Sequence, residues 1–198
     1  MKLIMHDKKL LKQLTKELKK FKRKHQELYS TPITSLMWEE MLHKSLAKLG
    51  SKTNWKPNNN HVSGKDMTLF SSGERISCKS GQITYVKRDD VKKLAISGSR
   101  LGKHKTLKEK IAFISDKNED SYACLARNKN DKIGKSYKLI MFPSSLLDYG
   151  NMSWTTSGKN YNGKKGLVEC KIQSSLSDQL WTFIADIEKI PDITIIEI

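Results

Sequence analysis

Ahead of the first proline, Ile4, Leu11, Leu14, Leu18, Phe21 and Leu28 follow the alternating three-and-four spacing of a helical seam. They predict a basic helix over residues 3–29, its seam broken by Asp7 and His25, its other faces carrying Lys12, Lys16, Lys19, Lys20, Lys22, Arg23 and Lys24. The simplest expectation is a helix packed on its own domain with a solvated basic face. "STPITS" interrupts the chain. Trp38, Met41, Leu42, Leu46 and Leu49 then line one side of a second helix, Ser35–Leu49, stopped by Gly50. Glu39 falls at the edge of that apolar side. Glu40 lies farther round, one turn from Lys44 as a surface partner.

Beyond the polar stretch "SKTNWKPNNN" the period changes to two. "DMTLF" and "RISCK" alternate as strands joined by "SSGE", and "QITYV" and "KLAIS" follow as short strands around the charged turn "KRDD". "SGSRLGKHK" reads as a basic loop. Thr106 and Glu109 have the spacing of a capping box opening a helix through "LKEKIAFIS". "SYACLAR" and "YKLIMF" predict a hairpin ended by Pro143, "GNMSWTTSGKNYNGKKG" a long polar loop, residues 177–189 a helix and "ITIIEI" a last strand. The order predicts an α/β fold, a central mixed β-sheet flanked by helices. A single domain is expected over 1–198, with its basic N-terminal helical arm at 1–30.

Charge narrows the partner. Lys and Arg number 37 against 21 Asp and Glu, a formal net charge of +16, an excess that commonly faces a polyanion. No apolar run reaches membrane-spanning length, and "MKLIMHDKKLLK" lacks the apolar core of a signal peptide. Cys78, Cys124 and Cys170 are odd in number and widely spaced, as in a reduced cytoplasmic protein rather than a disulfide framework or zinc site. Nucleic acid is the partner to expect first, and no membrane is expected.

If Ser71, Ser72 and Gly73 close a hairpin, counting outward pairs Phe70 with Glu74 and Met67 with Ser77. Asp66 then lies beside Cys78, within a residue of Lys79, and Arg75, Ser77 and Lys79 share one strand face. An acid opening one strand, and an x-lysine on its partner, resembles the PD-(D/E)xK nuclease superfamily, in particular the type II restriction endonucleases. A "WEE" helix, a His-x-x-Gly-x-Asp loop, "ISCKSG", "ISGSR" and a capped helix resemble the layout of those enzymes over residues 35–127.

The resemblance implies a restriction-endonuclease-like sheet and magnesium-dependent hydrolysis of double-stranded DNA by a homodimer. It implies that Asp66 binds Mg2+ with the backbone carbonyl of Cys78, while Lys79 orients the attacking water and stabilises phosphate charge. The chain departs from the motif at Lys65, in place of proline, and at Ser77, where the second acid belongs. Glu39 is the candidate to replace that acid, with Glu40 and Glu74 as rivals, and His61 is a candidate for placing the water. For DNA contacts the candidates are Ser97, Ser99, Arg100, Lys103 and Lys105, then Arg127, and Trp154, Lys159 and Asn160 in the second polar loop. The alternatives are a non-catalytic nucleic-acid-binding protein and a structure-specific repair or junction nuclease.

Overall fold

The computed structural model describes residues 3–55, 66–86, 91–116, 118–174 and 177–198. His61, Lys65 and the "KRDD" turn lie outside the described residues.

The chain begins with a 3-10 turn, Ile4–His6, and a helix α1, Lys8–Leu28. Asp7 does not merely break the seam. Its side chain caps α1 by accepting from the Leu10 N–H at 2.9 Å, so the single helix expected over 3–29 starts afresh there. Leu11, Leu14, Leu18 and His25 are buried, whereas Leu28 is 75% exposed and leaves the seam. Helix α2, Ser35–Lys48, is capped by the Thr34 hydroxyl and stops at Gly50, whose φ of +78° suits glycine. Its Trp38 is fully buried and donates its indole N–H to the Ala123 carbonyl at 3.0 Å. Helix α3, Leu107–Ser115, opens with the capping box expected from Thr106 and Glu109.

The strands form one mixed sheet, so the α/β expectation holds. They are β1 Met67–Thr68, β2 Arg75–Val86, β3 Val91–Arg100, β4 Ser121–Asn128, β5 Tyr137–Pro143, β6 Ser153–Ser157, β7 Asn160–Lys165, β8 Val168–Gln173, β9 Gln179–Ile184 and β10 Thr194–Glu197. The order across the sheet is β10-β5-β4-β2-β3-β9-β8-β7-β6, with β1 paired to β2 off that path. Among the described residues only β2 and β4 run parallel, joined through β3 and α3. Side-chain alternation divides the core into two layers. Ile76, Cys78, Ala123, Leu125, Leu139 and Met141 face α1 and α2, while Tyr122, Cys124, Ile140, Phe142, Leu94 and Ile96 pack on the other face with Ile114 of α3.

Several expectations are corrected. "RISCK" and "QITYV" are one continuous strand, β2. Ser97–Arg100 belong to β3 rather than to a loop. The polar loop at 150–166 is largely the β6–β7 hairpin, and the helix expected over 177–189 is replaced by β9. In β9 Leu180, Thr182 and Ile184 are buried while Trp181 and Phe183 are half-buried on the other face, so both faces carry apolar groups and the period of two is masked.

Candidate functional site

The β1–β2 register differs by one residue from the count made on the sequence. Met67 pairs with Ile76 and Thr68 with Arg75, because Phe70 joins Ser71, Ser72 and Gly73 in the turn and Gly73 adopts φ +71°. Extending that register sets Asp66 opposite Ser77, and opposed residues share a face. The slip therefore brings Asp66 onto the face of Ser77 and Lys79 directly.

Contacts agree. The Asp66 Oδ2 atom accepts from the Cys78 N–H at 2.5 Å and from the Ser77 hydroxyl at 3.3 Å, and the Lys79 ammonium stands 3.7 Å away. The two side chains are 16% and 29% exposed, open enough for a ligand to reach. The Asp66 N–H in turn donates to the Ile76 carbonyl at 3.0 Å. A strand residue in an antiparallel pair aims its N–H and C=O at the same edge, so the Cys78 carbonyl points to the edge that Asp66 occupies. That edge is bare among the described residues between Ile76, where β1 ends its pairing, and Gly81, where β3 begins. A carboxylate, a carbonyl and an ammonium meet at this gap.

The three glutamates raised as replacements for the missing acid separate clearly. Glu74 is fully buried and committed elsewhere, accepting from the Ile4 N–H at 2.7 Å and the Ser121 hydroxyl at 2.5 Å. Burial pushes its carboxyl above the ordinary range. It points away from Lys79 and is not part of the site. Glu40 pairs with Lys44 at 2.5 Å on the surface. Glu39 is half-buried on α2 and accepts from the Trp55 indole at 3.4 Å. Its charge, with that of Asp66, bears on the Cys78 thiol, so it approaches the same backbone from the α2 layer. Burial pushes that thiol far up. Cys78 can therefore offer a hard ion its carbonyl but not a thiolate.

Among the described residues no cluster of three or more His, Cys, Asp or Glu side chains is placed to hold a metal ion. Magnesium does not require one, since it keeps several waters and binds through one or two carboxylates and substrate phosphates. Asp66 and the Cys78 carbonyl, both oxygen donors at an open edge, fit it.

No family model, curated protein or solved structure matches this chain. Among the described residues no helix is long and apolar enough to cross a membrane.

The candidate DNA contacts fall in three places. Ser97 and Ser99 line a cavity together with Lys79, and Arg100 is exposed at the end of β3. Lys103 and Lys105 are exposed on the turn that follows. That turn is tied down: the Leu101 N–H donates to the Ser177 and Asp178 carbonyls, and buried Lys110 donates to the His104 carbonyl while 3.3 Å from Asp178. Arg127 is half-buried at the end of β4 and donates to the Asp131 carbonyl, a loop-bracing role. Trp154 is a packing anchor rather than a free stacking surface. Its indole donates to the Tyr149 carbonyl at 3.1 Å and its ring lies against Gly163, where a Cβ would stand 2.9 Å away. Asn160 is occupied by the Ser174 N–H at 3.0 Å, and Lys159 is exposed at the hairpin tip.

One residue of this neighbourhood carried no motif in the sequence. Glu119, in "DKNEDSYACLAR", precedes β4 and lines the cavity that Ser77 and Lys79 also line. Its only sequence signal is an acid just ahead of a strand.

Proposed function

We propose that this protein is a magnesium-dependent endonuclease of the restriction type, hydrolysing phosphodiesters of double-stranded DNA. The observation that carries the reading is the meeting of Asp66 and Lys79 at 3.7 Å, on one face and at the stretch of the β2 edge that β1 and β3 leave unpaired. The helix, acid, strand pair, third strand and capped helix that suggested the resemblance follow one another as α2, Asp66, β1–β2, β3 and α3. The charge of +16 suits the substrate.

Asp66 and the Cys78 carbonyl would hold Mg2+, with Glu39, whose charge reaches Cys78 from α2, as the candidate second carboxylate. The ion would supply charge neutralisation at the phosphate and a more acidic bound water. Lys79 holds a positive charge where negative charge grows on the phosphoryl oxygens, and it orients the attacking water by hydrogen bonding. Ser97, Ser99, Arg100, Lys103 and Lys105 continue from this edge as the contact surface for the duplex. A homodimer matches two-fold DNA.

A second reading rests on a specific observation. Asp66 Oδ2 already has the Cys78 N–H, Ser77 hydroxyl and Lys79 around it, the surroundings of a strand-end cap in a protein that binds nucleic acid without cutting it.

Long unmethylated duplex DNA, incubated with and without magnesium beside Asp66→Ala and Lys79→Ala, separates the two. The nuclease reading expects discrete fragments that require magnesium and fall by at least about a hundredfold in both variants. Intact DNA that is nevertheless shifted on a gel would establish the binding protein instead. Nicks or a smear would indicate a structure-specific nuclease.

A further inference from the structure

Glu119 is 7% exposed. Its Oε1 accepts from the Tyr122 hydroxyl, while its Oε2 is closed off from solvent and has no hydrogen-bond partner among the described residues. A buried carboxylate oxygen left unpaired is costly, and natural structures satisfy such atoms with water. Space for it exists. Glu119 lines a cavity of about 70 Å³ together with Ser77, Lys79, Ser97, Tyr149 and Thr182. That is room enough for water, and the hydroxyls around it offer partners.

The cavity runs on from the site. Ser77 and Lys79 contact Asp66 at the edge of β2 and also wall the cavity. Ser77 pairs across the sheet with Tyr122, whose hydroxyl holds Glu119. The ionisable groups facing the cavity are Lys79 from β2, Asp116 from the end of α3, Tyr122 from β4 and Tyr149 from the turn before β6. Burial raises both tyrosines well above their ordinary range. Neither accepts a proton. Asp116 is exposed, so Glu119 is the buried base of the set.

The geometry points to Glu119 as the proton acceptor of the Asp66–Lys79 site, acting through water held in the cavity behind Lys79. Its role is proton acceptance and not metal binding, from a position just ahead of β4. The inference rests on the nuclease reading. The attacking water's oxygen forms the new P–O bond and its proton passes to a cavity water, which releases one of its own to Glu119 Oε2. The bond from phosphorus to the leaving oxygen breaks, its electron pair stays on that oxygen, and solvent protonates it. Glu119 then returns its proton to solvent. One water and one phosphodiester give one hydroxyl and one phosphomonoester.

The test is single-turnover cleavage by the full chain carrying Glu119→Gln, Tyr122→Phe or Glu119→Ala. Glutamine keeps an oxygen for the Tyr122 hydroxyl and loses only basicity. The expected result is a cleavage rate about a hundredfold lower in E119Q, with DNA affinity and the magnesium midpoint unchanged. Y122F is expected to lose under tenfold, and added formate to restore part of the E119A rate. Three results overturn the relay: wild-type cleavage in E119Q, an equal loss in Y122F, which marks packing, or a shifted magnesium midpoint, which marks a ligand. A wild-type protein as inert as Asp66→Ala removes the nuclease reading and the relay together, whereas active wild type with active E119Q removes the relay alone.

Discussion

Glu74 offers the sharpest separation of structure from chemistry, because it stands among the acids of the Asp66–Lys79 region yet is bonded away from it. Its two oxygens hold the Ile4 N–H at 2.7 Å and the Ser121 hydroxyl at 2.5 Å, tying the N-terminal turn to the start of β4. Glu74→Ala strands a buried donor at each end and removes packed atoms. At about 1.5 to 2.5 kcal/mol for each bond to a charged group, the loss is about 3 to 5 kcal/mol. At roughly 2 to 4 °C per kcal/mol for a chain of this size, the melting temperature falls by about 6 to 20 °C. Glu74→Gln retains an acceptor for Ile4 and offers Ser121 a donor, so its cost is about 1 kcal/mol at low pH.

The pH dependence has a fixed sign. Burial raises the folded-state pKa of Glu74, so the stability linked to its proton is complete below the unfolded value, near pH 4, and is lost as pH rises through the folded value. E74Q has no such loss and gains on the wild type as pH rises. Thermal melts from pH 4 to 8, read with magnesium-dependent cleavage at a temperature where both proteins are folded, measure this. A folded E74Q with abolished cleavage would refute the reasoning and return Glu74 to the site.

Gly81→Ala builds a Cβ 2.7 Å from Cys124 Sγ and 2.9 Å from Leu94 Cδ1, in the layer beneath Lys79. Overpacking of this kind costs about 1 to 3 kcal/mol, read as a lower urea midpoint at unchanged slope. Asp120 accepts from the Arg75 backbone at 2.8 Å and from its guanidinium at 3.0 and 2.9 Å, and these bonds hold its carboxyl below the ordinary range. Its stabilisation is present above pH 4 and lost as pH falls through the depressed value. Asp120→Asn is expected to cost about 1 kcal/mol at pH 7, discounted for the partial exposure of the pair, and to converge on the wild type in acid.

Where burial was one-sided, the sequence pattern was readable. The seam of α1, the face of α2 and the capping box of α3 each follow from spacing, because one side of each helix meets the sheet and the other meets water. The β6–β7 hairpin failed that test. Ser153, Thr155, Thr156 and Ser157 are all exposed at the outer edge of the sheet, so no alternation marks a strand. β9 failed for the opposite reason, with apolar groups on both faces. The meeting of Asp66 with Lys79 was legible because both depend on one local hairpin, and a register error of one residue left them within reach. Glu119 was not legible. Its burial depends on residues distant in the chain, such as Ser97, Tyr149 and Thr182 around the same cavity, and nothing in "DKNED" distinguishes a buried acid from a solvated one.

The Cys78 thiol lies beneath the same residue whose N–H holds Asp66, on the α2 side of the sheet, and it is 4% exposed. A thiol reagent in solution cannot touch it until that layer parts. The rate at which the native protein becomes alkylated at Cys78 therefore counts how often the backbone under Asp66 opens, since local openings span the whole range from fraying to global unfolding. Cys124, fully buried on the other face with its thiol pushed up to about 12, counts openings of the α3 layer separately. Cys78 and Cys124 thus serve as chemical clocks on opposite faces of the sheet, and the ratio of their rates tells which layer yields first.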